Sequence, residues 1–257
     1  MKYVVLLCDH MADYPNKEIF NKTPLAFAKT PTMDYLAPKS QIGLVKTIPH
    51  DCEARDDISA MSIMGYNSKI YLNNKIIDWN KKIPLNLKSF YTIHNIKASV
   101  ISRSNFVRGI ARSAGMHLCD LGEPIGNIKD DYKKKIDLVS KEFNDGYELV
   151  YLHLELYDEN KSIEDKVNRI ENLDKYMLKP LLEMLRSIDD DFKLMVISSL
   201  LNDDNNCKLG DPVPFLMYQS NQERDTSIKI FSEESARDSG MFLGVAEALI
   251  HLFINFI

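Results

Sequence analysis

The sequence has no C-x-x-C pair. Its four cysteines, Cys8, Cys52, Cys119 and Cys207, are scattered, which argues against a zinc ribbon or a disulfide framework and makes a reducing cytosol the expected setting. Nor is there a run of Lys or Arg dense enough to follow a phosphate backbone, and with a formal net charge of −5 nucleic acid is not an expected partner. A membrane-spanning helix needs about 20 apolar residues. The strongly apolar stretch Val245–Ile257 is shorter than that and contains Glu247, His251 and Asn255, so it reads as a core-facing or interface helix. The start, MKYVVLLCDHMADY, has an apolar stretch only a strand long, followed at once by acids, unlike a signal peptide. A cytoplasmic protein without membrane association is therefore expected. No internal repeat or low-complexity linker interrupts the pattern.

What is present is an ordinary globular composition: 257 residues, 45% of them hydrophobic, enough for one large α/β domain over residues 1–257. Lys2–Cys8 is nearly all apolar, the signature of a strand buried on both faces, and it delivers Asp9 to a sheet edge. Thr23 and Pro24 open a helical stretch to Ala37 that Pro31 should break in two. Further strands are expected at Gln41–Ile48, Ala98–Ser102, Glu148–Leu156, Phe192–Ser198, Val213–Gln219 and Ser227–Phe231. Helices are expected from Asn105 to Gly115, over Lys129–Phe143, and from a Ser162/Asp165 cap to Ile188 with a kink at Pro180. Such alternation predicts a mostly parallel sheet covered on both faces, with ligand chemistry beyond the carboxyl ends of its strands. Residues 67–97 form the least periodic stretch, an excursion from the core.

The segments YVVLLCDHMADYP, NKTPLAFAKTPTMDYLAP, IGLVKTIP, DDISAMSIMGYN, NFVRGIARSAGM, YLHLELYDE and DPVPFLMY resemble, in order and style, the archaeal-type cofactor-independent phosphoglycerate mutases of the alkaline phosphatase superfamily. The resemblance implies a three-layer alkaline-phosphatase-like α/β fold. In that family a serine accepts the phosphoryl group while two divalent metals, held by Asp and His, neutralise charge and activate the nucleophile. Position by position, the match is selective. Asp9 falls on the first metal-binding Asp, with the family's GDG replaced by Cys8-Asp9-His10. Asp56 falls on the nucleophilic serine and Asp57 on its neighbour. Asp158 falls on a ligand Asp, but the following metal-binding His has no counterpart. The Asp-His dyad falls on Ser199 and Leu200, and the last ligand His falls on Lys208. The short 67–97 interval replaces the family's inserted lid domain, whose loss would expose a phosphoryl-enzyme to water.

The first expectation is thus a non-catalytic homologue acting in binding or regulation, with no cofactor, and with a small anionic ligand, a second copy or another protein as partner. The alternative is a metal-dependent phosphoryl-transfer enzyme, a mutase or a phosphatase or phosphodiesterase, with a reorganised site of Asp9, His10, Asp56 and Asp158 around Mn, Zn or Mg. His10 is the best candidate for a displaced ligand, His50 lies near the altered nucleophile segment, and His153, inside a strand, reads as a satisfied core residue or as one that supports a ligand side chain from behind. Ser59 and Ser62, at helical spacing, read as packing residues. Arg103, Arg108 and Arg112 are a candidate anion site, although Arg108 and Arg112 sit one turn apart on what reads as an exposed face.

Overall fold

The computed structural model describes residues 1–72, 77–79, 85–156, 162–199 and 210–255. Its strands are β1 (Lys2–Asp9), β2 (Ser40–Val45), β3 (Ala98–Ile101), β4 (His117–Leu118), β5 (Leu149–Glu155), β6 (Phe192–Ser198), β7 (Val213–Gln219) and β8 (Phe242–Leu243). The helices are α1 (Pro24–Phe27), α2 (Pro31–Leu36), α3 (Asp56–Ile63), α4 (Ser68–Tyr71), α5 (Phe90–His94), α6 (Asn105–Ser113), α7 (Ile128–Asn144), α8 (Ile163–Asn172), α9 (Lys179–Ser187), α10 (Glu233–Asp238) and α11 (Glu247–Asn255).

The strands form one sheet in the order β4-β3-β5-β1-β6-β7-β2-β8. β1 runs parallel to β5 and β6, β3 runs parallel to β4 and β5, and only β7 is antiparallel to its neighbours. The apolar run of β1 is explained by its central place: Val4, Leu6 and Cys8 enter one core while Val5 and Leu7 enter the other. The first core is closed by α1, α2, α7, α8, α9 and α10, the second by α3, α5, α6 and α11. This is the expected three-layer arrangement.

Two local expectations are corrected. Pro180 does not kink a continuous helix. α8 and α9 are joined by a π-helical segment, Leu173–Leu178, so Pro180 sits in the first turn of α9, where a missing N–H costs little. The wide turn carries the buried Asp174, whose carboxylate accepts from the N–H groups of Thr32 (3.0 Å) and Met33 (2.8 Å). It thereby caps α2, whose own Thr30 makes no side-chain cap. The strand expected at Ser227–Phe231 is absent; those residues run irregularly into α10, where Ser232 forms a capping box with Ser235.

The apolar C-terminal stretch is α11, which lays Leu249, Ile250 and Phe253 into the second core. Its last carbonyls, on Phe253 and Ile254, accept from the Lys193 ammonium at 3.4 and 3.2 Å, a cation at a helix C-terminus. Burial holds the Lys193 pKa below the ordinary lysine value. In the 67–97 excursion, Trp79 packs on Gly109 of α6, where an added Cβ would fall 2.5 Å from the indole ring.

Candidate functional site

The carboxyl ends of β1, β5 and β6 meet at one height: Asp9 is paired with Glu155, and Cys8 with Ser198. Asp9 alternates in phase with Val5 and Leu7, so it points toward the α3/α6 layer. There its Oδ2 lies 2.7 Å from His153 Nε2, and both side chains are almost wholly buried. His153 Nδ1 is 2.9 Å from Ser102 Oγ, which also accepts from the Ser104 N–H at 3.1 Å. Phe106 covers the imidazole edge-on, with ring centroids 6.0 Å apart. Asp9, His153 and Ser102 therefore form a buried polar row across β1, β5 and the end of β3. Satisfying each member removes the penalty of burying it.

His10, the next residue, has a left-handed backbone (φ +52°), a conformation that favours glycine. The resemblance implies a glycine at this position, the residue that adopts such a backbone with least strain, and here an imidazole takes its place. His10 N–H donates to Ser199 Oγ (3.3 Å), and His10 Nε2 lies 3.1 Å from Asp56 Oδ1. Asp56 occupies the first turn of α3, where a carboxylate is favoured by the helix dipole. Asp57 is turned away: it takes two bonds of 3.0 Å from Arg55 and one of 2.9 Å from the Trp79 indole N–H.

Ser199, at the position of the dyad Asp, is fully buried and serves the framework. Its N–H donates to Cys8 O (3.1 Å), and its carbonyl accepts from the hydroxyls of Thr47 (2.7 Å) and Ser59 (2.6 Å). Ser62 bonds to Ile58 O and Ser68 Oγ. Both helical serines are thus used in packing. His50 is almost fully exposed and pairs with its neighbour Asp51, outside this group. Arg108 corrects the reading of an exposed arginine face: it folds back on the carbonyls of Ser102 (3.2 Å) and Cys119 (3.4 Å). Asp158, Leu200 and Lys208 lie outside the described residues.

A metal needs several donors converging on one point with free lone pairs. Among the described residues no three His, Cys, Asp or Glu side chains do so. Asp9 spends its Oδ2 on His153, Asp56 meets His10, and the dyad position holds a hydroxyl committed to the backbone. The described residues therefore do not fit the two-metal centre that the resemblance implies. Thr47 and Ser102 were not picked out from the sequence. The usable signal for Ser102 was its phase, since it continues the Ala98 and Val100 face to the same edge as Asp9.

A family model described as the Metalloenzyme superfamily matches residues 1–255. A 2,3-bisphosphoglycerate-independent phosphoglycerate mutase of Methanosarcina mazei is 21% identical in an alignment that spans 397 residues and covers 99% of this chain and all of the relative. Among solved structures, the PH0037 protein from Pyrococcus horikoshii matches with a TM-score of 0.76 at 19% identity, over 99% of this chain and 96% of that one. A cofactor-independent phosphoglycerate mutase from Thermoplasma acidophilum matches with a TM-score of 0.70 at 16% identity, over 98% of this chain and all of that one. At these identities the structural likeness establishes the fold, the alkaline-phosphatase-like α/β architecture of the mutases.

Proposed function

We propose that this chain, which belongs to the Metalloenzyme superfamily, is a non-catalytic homologue of cofactor-independent phosphoglycerate mutase that binds a ligand or partner. The observation that carries the reading is that, among the described residues, no three His, Cys, Asp or Glu side chains converge as a metal site would need, with the buried Ser199 hydroxyl standing at the dyad position. The Asp9–His153 contact engages one carboxylate oxygen only and is an arrangement that metal-binding carboxylates also use, so the reading rests on the donors that are missing beside it among the described residues. At the nucleophile position, Asp56 in place of serine would yield an acyl phosphate, far more labile than a phosphoserine. Residues 67–97 stand where the family's lid domain is expected, so the lid's loss belongs to this reading. So does a cytoplasmic location; among the described residues no helix is long and apolar enough to cross a membrane.

The 3.1 Å approach of His10 to Asp56 beside Asp9 favours one competing reading, a single-metal phosphatase using Asp9, His10, Asp56 and Asp158. Metal analysis and turnover of the purified protein separate the two. The expected result is no stoichiometric Mn, Zn or Mg and no conversion of phosphoglycerate or hydrolysis of a phosphate monoester when these ions are added. Metal-dependent turnover that disappears in Asp158→Ala would overturn the proposal.

A further inference from the structure

Between β3 and β5 the sheet has a topological switch point. The chain leaves β3 for α6 on one face of the sheet, and leaves β5 for α8 on the other. Open α/β sheets form a crevice at such a point, outside the carboxyl ends of the two strands. Here the crevice is a cleft of about 330 Å³, lined by Arg103 just after β3, by His153–Glu155 at the end of β5, and by Asp131, Tyr132 and Lys135 of α7. That volume lies at the small end of metabolite-sized pockets.

Its lining includes a buried ammonium that is sparsely hydrogen-bonded among the described residues. Lys135 is only 8% exposed, yet its ammonium has one hydrogen-bond acceptor among the described residues, Asp131 Oδ2 at 2.5 Å, with the Tyr132 ring 5.7 Å away. An ammonium carries three donors. Arg103 reaches the same carboxylate at 3.2 Å and is braced by the carbonyls of Gly122 (2.7 Å) and Glu123 (3.4 Å). Burial alone would raise the Asp131 carboxyl, but Lys135 and Arg103 together hold it below the usual carboxylate range. Two cations thus share the Asp131 carboxylate, and the buried Lys135 ammonium keeps donors with no acceptor among the described residues; with Glu155 the charged lining as a whole is balanced. Glu155, exposed at the end of β5, lines the same space.

We propose that this cleft binds a small oxyanion-bearing metabolite, a carboxylate or a phosphate monoester, held by the Lys135 ammonium with the charge of the neighbouring Arg103 guanidinium beside it. Glu155 disfavours polyanions and offers an acceptor to a hydroxyl or ammonium elsewhere on the ligand. The proposal rests on the reading of the chain as a binding protein and names the class of ligand. It assigns to Arg103 a role separate from Arg108 and Arg112, with which it does not converge.

The test is calorimetric titration of the full chain with inorganic phosphate and, separately, with lactate, a hydroxylated monocarboxylate; the two arms distinguish phosphate from carboxylate preference. Saturable one-to-one binding of either probe is expected. It should weaken at least tenfold in Lys135→Met and in Arg103→Met, less in Arg103→Lys, and be unchanged in Lys141→Met, an exposed lysine of the same helix. Absence of saturable binding by the unmutated chain overturns the proposal, as does binding that is undiminished in folded Arg103→Met and Lys135→Met. Metal-dependent turnover would instead overturn the binding-protein reading. If turnover occurs and the Arg103 and Lys135 variants still lose the probe, the cleft stands without that reading.

Discussion

Asp9→Ala should lower the unfolding free energy by about 3 kcal/mol, the scale for removing one partner of a buried charged or strongly polar pair. Asp9 and His153 are 6% and 2% exposed, so water cannot replace the lost carboxylate without opening the edge between β1 and β5. The vacated imidazole would stay anchored to Ser102 on one side and lack an acceptor on the other. Urea denaturation with an unchanged m-value is the measurement. A double-mutant cycle with His153→Ala isolates the pair, and a coupling above about 1 kcal/mol is expected for residues in direct contact. A change below about 1 kcal/mol in Asp9→Ala would mean that the row does not hold the strand ends together. The sign is informative for function. In a working metal site Asp9 would be a carboxylate retained for activity, whereas here it should behave as a structural group.

Phe253→Ala is the second substitution with a large expected effect, a loss of about 3–5 kcal/mol. Phe253 is 1% exposed and packs edge-on against Tyr3, with ring centroids 5.9 Å apart, so the ring joins α11 to the start of β1. Its removal leaves a cavity that the second core cannot close without moving α11. That movement is resisted at Gly65, whose backbone is left-handed (φ +89°) and where an added Cβ would lie 2.5 Å from Ile250 Cγ2. Thermal unfolding should show the loss at every protein concentration. If stability instead fell with dilution and light scattering found dimers, α11 would be a seam between copies and not the cover of this core.

The central strands were readable because burial on both faces leaves an unbroken apolar run. Phe192–Ser198 and Val213–Gln219 match β6 and β7 residue for residue. Ser227–Phe231 misled because Ile228, Ile230 and Phe231 imitate an alternating strand. In the fold, Ile228 and Phe231 pack against the first core at the approach to α10 while Ile230 is half exposed. The π turn could not be read because the apolar spacing of Leu173, Met177 and Leu181 is also that of an α-helix; the difference lies in which carbonyls the N–H groups choose. At the site, the sequence put Asp9 at the end of a buried strand, where the structure has it, with Asp56 near it through His10. It could not show that Asp9 meets His153, since the two are 144 residues apart and come together only through strand order. His153 did read as a satisfied residue, because an imidazole amid Leu152 and Leu154 must find a partner.

The polar row also bears on the timing of folding. Asp9, Ser102 and His153 belong to three strands with long connections between them, so their contacts form only after β1, β5 and β3 have found their register. Interactions completed after the folding barrier act mainly on escape from the native state. The row is thus a latch on the finished sheet. In stopped-flow kinetics, Asp9→Ala should speed unfolding while leaving the refolding rate nearly unchanged, and a matching fall in the refolding rate would place the row in the folding nucleus instead.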